Sequence, residues 1–119
     1  MAELRILVTG GAGFLGSSLC HSLIELGHKV VALDSLFRGN LENLSLIQDD
    51  ENFTFLHADV REVEALDSAV ETLGGLDLVF HLAAVNGTKW FHEAAHSVID
   101  VNINGTLRTL ELAMAHDAR

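Results

Sequence analysis

The chain has 119 residues, 49% of them hydrophobic, and a mean hydropathy of +0.30, which suffices for one packed domain and excludes a disordered chain. Seven Lys and Arg stand against 17 Asp and Glu, a formal net charge of −10, and a field of that sign repels nucleic acid and anionic membrane, so neither is an expected partner. The lone Cys20 allows no internal disulfide, and with no long apolar run and no leader-like start the expectation is a soluble, cytoplasmic protein.

The first strand signal, at about 4–9, runs into Thr9-Gly10-Gly11-Ala12-Gly13-Phe14-Leu15-Gly16. A helical pattern from Phe14 to Leu26 leaves this turn and stops at Gly27, and its predicted inward face is Leu15, Leu19, Leu23 and Leu26. In a strand-turn-helix setting the three spaced glycines have distinct tasks. Gly10 makes the tight turn, Gly13 lets backbone approach a ligand, and Gly16 lets the helix close on the strand. The free amides of the first helical turn suit an anion, with about 0.3–1 kcal/mol from the helix dipole alone, and a pyrophosphate is the natural ligand. A tight turn without a ligand is the rival reading of the glycines alone. Lys29-Val30-Val31-Ala32-Leu33-Asp34 favours the ligand: it reads as a second strand ending in a carboxylate 18 positions beyond Gly16, where a ribose hydroxyl needs an acceptor.

Further along, a second helix is expected to start near Asn40, with Leu41, Leu44 and Ile47 at helical spacing. A third strand follows at about 53–58. A third helix covers about 62–73, with Val63, Leu66, Val70 and Leu73 inward and Gly74-Gly75 ending it. A fourth strand at about 77–82 precedes one long helix from about Glu93 to His116. Strands alternating with helices predict a Rossmann-type α/β fold, a parallel sheet with helices on both faces. Right-handed crossovers give the strand order 3-2-1-4 and a ligand above the switch between strands 1 and 4. Cys20 lies in the first helix with no nucleophile signature around it and is read as packing.

Five ordered motifs carry a family resemblance: Thr9 to Gly16, Asp34-Ser-Leu-Phe-Arg-Gly-Asn40, Ala58-Asp59-Val60, His81-Leu-Ala-Ala84 and Val101-Asn-Ile-Asn-Gly-Thr106. Across the whole chain they resemble the N-terminal part of the extended short-chain dehydrogenase/reductases, nearest to the nucleotide-sugar epimerase, dehydratase and decarboxylase group. The resemblance implies pyrophosphate contacts from Gly10, Gly13, Phe14, Leu15 and Gly16, and an adenosine-ribose contact from Asp34. Ser35 and Arg38, which follow Asp34 in the same motif, are expected cofactor contacts with it. Asp59 and Val60 would meet adenine, Leu82, Ala83 and Ala84 would line the cofactor's path, and Asn102 would steady the site from the fourth helix. The loop from Val85 to Phe91 lies where the family handles substrate.

Simpler roles compete for several of these residues. Asp59 could cap the third helix, His81 could pack at its strand end, and Asn102 could take a backbone partner. Trp90 and Phe91 could be a hydrophobic lead-in to the fourth helix. His92-Glu93-Ala94-Ala95-His96 also matches H-E-x-x-H, the zinc-protease motif. The metzincin continuation would want Gly at Ile99 and His at Asn102, and Glu111 would lie about 22 Å along the helix from His96, so no third ligand is in reach. The pair is read as a solvated helix start, with no metal.

The expected cofactor is NAD rather than NADP, because Asp34 would face a 2′-phosphate as like charge; Arg38 is the residue that could offset this, or stack on adenine. The family's proton is handled by the Tyr of a Y-x-x-x-K motif, and this sequence contains no Tyr. The expectation is therefore the NAD-binding portion of such an enzyme, truncated before the fifth strand, inactive as it stands, with a nucleotide-sugar substrate only in the longer parent. A self-contained NAD(H)-binding or redox-sensing module is the alternative. An exposed edge on the fourth strand leads to a further expectation, that the chain is a homo-oligomer or lacks its C-terminal part.

Overall fold

A computed structural model describes residues 2–119. Four strands, β1 (Arg5–Thr9), β2 (Lys29–Asp34), β3 (Phe53–His57) and β4 (Leu78–His81), form one parallel sheet in the order β3-β2-β1-β4. Four helices complete the chain: α1 (Phe14–Glu25), α2 (Val63–Leu73), α3 (Thr88–Glu93) and α4 (Ala95–Ala115). The predicted fold class and strand order are those observed.

Alternation along the central strands builds two cores. Ile6, Val8, Val30 and Ala32 point to the face covered by α1, and Leu7, Val31 and Leu33 to the face covered by α2 and α4. Both faces of β1 are therefore dry, which is why its middle, Ile6-Leu7-Val8, is unbroken apolar sequence. Register is fixed along the sheet, with Leu7 beside Val31 on one side and Val79 on the other.

Three expectations need correction. The inward face of α1 is Gly16, Ser17, Cys20 and Leu23, whereas Leu15 and Leu26 are exposed. Gly16 sets this rotation, because a Cβ there would overlap the Gly10 carbonyl oxygen, so the helix presents Gly16 to the turn and Leu15 to solvent. On α2, Leu66, Ala69, Val70 and Leu73 are buried and Val63 is exposed. The helix expected near Asn40 is a single 3₁₀ turn, Leu41–Leu44, capped by Asn40 accepting from the Glu42 amide at 2.9 Å. Its inward residues Leu44 and Ile47 stand three apart, a spacing that tighter turns meet as well as an α-helix does.

The long C-terminal helix is also interrupted. Ala94, at φ −144° and ψ 47°, separates α3 from α4, and neither Gly nor Pro marks the break. Beyond it, α4 turns Val98, Gly105, Thr109 and Leu112 toward the sheet and α2, while Ile99, Ile103, Leu107, Leu110 and Met114 form an exposed apolar stripe on the other side. At the chain's last residue, Arg119 pairs with the outer edge of β4: its amide donates to the Asp77 carbonyl at 3.2 Å and its carbonyl accepts from the Val79 amide at 2.6 Å. Part of the edge expected to be open is thus covered.

Candidate functional site

Beyond the C-terminal ends of the strands, at the switch between β1 and β4, lies a cavity of about 590 Å³. It collects residues from all five motifs: Gly10, Gly13 and Phe14 from the turn, Asp34, Ser35 and Arg38 after β2, Asp59 and Val60 after β3, Leu82, Ala83 and Ala84 after β4, and Val101 from α4. Leu15, Gly16 and Asn102 lie outside its lining. Gly16 holds α1 against the turn, Leu15 is exposed, and Asn102 acts from behind the wall. Phe37, Arg61, Val85, Trp90, Ser97 and Val101 also line the cavity and were not singled out from sequence as cofactor contacts.

The floor is the glycine turn. Gly10 adopts φ +70°, and a Cβ on it would lie 2.8 Å from the backbone of Leu82 and Ala83, so the β1 turn and the β4 exit meet backbone to backbone. No side chain caps α1, whose N-cap is Gly13, leaving its first-turn amides free of intrahelical or side-chain partners. That is a cradle for an anion.

Asp34 is buried beside it and does structural work of its own. Its Oδ2 accepts from the Ala12 amide at 2.9 Å and its Oδ1 from the Leu36 amide at 2.8 Å. The second bond supports Leu36 at φ +64°, an unusual conformation for a residue with a Cβ. Each oxygen retains one acceptor site, so the carboxylate can hold the turn and still receive hydroxyl donors. Arg38 Nη1 donates to the Asn86 carbonyl at 2.9 Å, and Phe37 packs edge-on against Trp90 with centroids 4.8 Å apart. These two contacts join the loop after β2 to the loop after β4 and to α3.

Asp59 is not the cap of α2, whose N-cap position is Glu62. Its carboxylate receives Arg61, at 2.9 Å from Nε and 2.6 Å from Nη2, while Arg61 Nη1 reaches Asp100 on α4. Hydrogen bonds from Arg61 hold the Asp59 carboxyl below the usual carboxylate range; for Asp100 the same direction comes first from Asn104 and then from Arg61. Asn102 takes the backbone partner considered from sequence: its Oδ1 accepts from the Val85 amide at 2.8 Å and its Nδ2 donates to the Val85 carbonyl at 3.1 Å. His81 does more than pack. Its Nδ1 lies 2.7 Å from Thr9 Oγ1 and its Nε2 lies 3.1 Å from Thr106 Oγ1.

The two histidines of the H-E-x-x-H stretch are split by the break at Ala94, His92 in the last turn of α3 and His96 in the first turn of α4, so they are not one turn apart on a common helix. Among the described residues no group of three or more His, Cys, Asp or Glu is placed to hold a metal ion. No helix among them is long and apolar enough to cross a membrane.

The model of the NAD dependent epimerase/dehydratase family matches residues 6–119. The chain belongs to this family. It is 40% identical over 111 residues to a probable dTDP-glucose 4,6-dehydratase of Sinorhizobium fredii, covering 92% of this chain and 31% of that protein. A UDP-glucose 4-epimerase of Mycolicibacterium smegmatis is 37% identical, covering 92% of this chain and 34% of that protein. Among solved structures, an epimerase from Methanothermobacter thermautotrophicus superposes with a TM-score of 0.88 at 32% identity, over 98% of this chain and 33% of that one. The dTDP-glucose 4,6-dehydratase of Bacillus anthracis in complex with NAD gives 0.82 at 30% identity, over 98% and 36%. The chain thus spans about a third of the length of these relatives.

Proposed function

We propose that the chain is the NAD-binding portion of an enzyme acting on a nucleotide sugar. The observation that carries this is the junction of all five motifs around one cavity, with an uncapped helix start and a carboxylate with spare acceptor sites on its wall. In this reading the first-turn amides of α1 bind the pyrophosphate, Asp34 accepts from the adenosine ribose, Asp59 and Val60 flank adenine, and Leu82 to Ala84 border the nicotinamide side. When bound, NAD supplies the hydride acceptor and donor. The chain's own residues bind, orient and exclude water.

Two observations support NAD over NADP. Asp34 would meet a 2′-phosphate as like charge, and Arg38, the cation that could offset it, is directed by one of its N–H groups toward the Asn86 carbonyl. With no Tyr in its sequence, the 119-residue chain lacks the family's proton donor and is proposed to bind NAD without turning over UDP-glucose or dTDP-glucose, the sugars that its relatives' names carry. Calorimetric titration with NAD, followed by incubation with each sugar, tests both halves. One-to-one binding without turnover is expected; turnover by the chain alone, or tighter binding of NADP, would contradict the reading.

A further inference from the structure

His81 sits at the end of β4 between two threonines, and the direction of every hydrogen bond in this cluster can be assigned. The Ala83 amide donates to Thr9 Oγ1 at 3.1 Å, and the Leu82 amide is shared between Thr9 Oγ1 and the Thr9 carbonyl, each at 3.0 Å, so Thr9 Oγ1 already faces two backbone donors. The one hydroxyl proton of Thr9 is left to donate to His81 Nδ1 at 2.7 Å. Nδ1 is then the bare nitrogen, and the ring proton resides on Nε2, which donates to Thr106 Oγ1 at 3.1 Å. Thr106 passes its own proton to the Asn102 carbonyl at 2.6 Å. Reversing the ring would aim a third donor at Thr9 Oγ1 and strand its hydroxyl proton.

We infer that His81, as its Nε2–H tautomer, is a positioning residue of the cofactor site, acting through Thr9 to fix the Leu82–Ala83 wall and through Thr106 to fix α4 against it. This rests on the NAD reading above. The wall is the segment that meets Gly10 with no room for a Cβ, so a displaced Leu82–Ala83 backbone moves the floor and the wall of the cavity together. The same α4 turn carries Asn102, which grips Val85 at the far end of the segment. Burial pushes the imidazole pKa down, which favours the neutral ring that the bond order requires.

The test combines ring-nitrogen NMR of His81 with NAD titration of the parent, Thr9→Val and Thr9→Ser. Thr9→Val keeps the side-chain shape and removes the oxygen; Thr9→Ser keeps the oxygen. We expect a bare Nδ1 and a protonated Nε2 in the parent, about tenfold weaker NAD binding by Thr9→Val, and near-parental binding by Thr9→Ser. A ring protonated at Nδ1, or a folded Thr9→Val that binds NAD like the parent, overturns the inference. If Thr9→Val does not fold, the parent's ring tautomer and Thr106→Val decide: NAD binding unchanged in Thr106→Val overturns it, and weakened binding supports it. A parent that shows the Nε2–H ring but no affinity for NAD overturns it through the cofactor reading, a failure told apart by the intact tautomer.

Discussion

Replacing Asp34 by Ala should do two separable kinds of damage. In the unliganded protein the substitution strips the buried Ala12 amide and the partly buried Leu36 amide of their acceptor. An unsatisfied buried donor costs about 1–3 kcal/mol, and the Leu36 amide, which water can reach, nearer 1, for a total of about 2–4 kcal/mol. At about 4 °C per kcal/mol for a domain of this size, the melting temperature should fall by roughly 8–16 °C. In the liganded protein, hydroxyl hydrogen bonds to a charged acceptor are worth about 1.5–3 kcal/mol, so NAD binding should weaken by about tenfold or more. NADP should suffer less, because at 4 Å and an effective dielectric of 20 the lost carboxylate also removes a repulsion of about 4 kcal/mol per charge pair. Asp34→Asn should fall between, since one oxygen can still serve one of the two amides. Melting curves and calorimetry with both cofactors read these effects. An Asp34→Ala protein that melts with the parent would refute the turn-holding role, and one that keeps the parental NAD-to-NADP ratio would refute the ribose assignment.

Gly16→Ala should prevent α1 from docking on the turn, at a cost of about 1–3 kcal/mol or more, and should abolish NAD binding; thermal melting and titration together check this. Asn102→Ala should cost about 1–3 kcal/mol by freeing the Val85 amide and carbonyl, and hydrogen exchange at Val85 should accelerate. Arg5 lowers the Asp77 carboxyl from 3.8 to about 2, so the pair's contribution is complete above pH 4, is lost as pH falls toward 2, and melting curves of parent and Asp77→Asn should converge over that interval. Sedimentation of the parent chain beside Ile103→Lys with Leu107→Lys checks the expected self-association: a parent that associates and a variant that does not would place the contact on the exposed stripe of α4, and a monomeric parent would contradict the expectation.

The sheet was legible because its central strands β1 and β2 are buried on both faces, and an unbroken apolar run as short as Ile6-Leu7-Val8 is what a strand with two dry faces requires. The site was legible where backbone geometry dictates residue type: Gly10 and Gly16 are glycines because neighbouring backbone leaves no room for a Cβ. Helix faces were less legible. Leucine spacing placed Leu15 and Val63 inward, but the rotation of α1 is set by the contact at Gly16, which periodicity does not weigh. The break at Ala94 has no local sequence signal, since neither Gly nor Pro stands there. Arg61 was passed over because its role is relational: it joins Asp59 to Asp100, which lies 39 residues beyond Arg61, and nothing near it in sequence announces the second carboxylate.

The central claim is that this chain binds NAD in the cavity at the β1–β4 switch. The most direct measurement is titration of the isotope-labelled protein with NAD, following backbone amide shifts. Saturable changes at Gly13 to Gly16, Asp34 to Arg38, Asp59 to Val60 and Leu82 to Ala84, with the exposed stripe of α4 unmoved, are the result predicted. No saturable change at those amides, or changes confined to another surface, would contradict it.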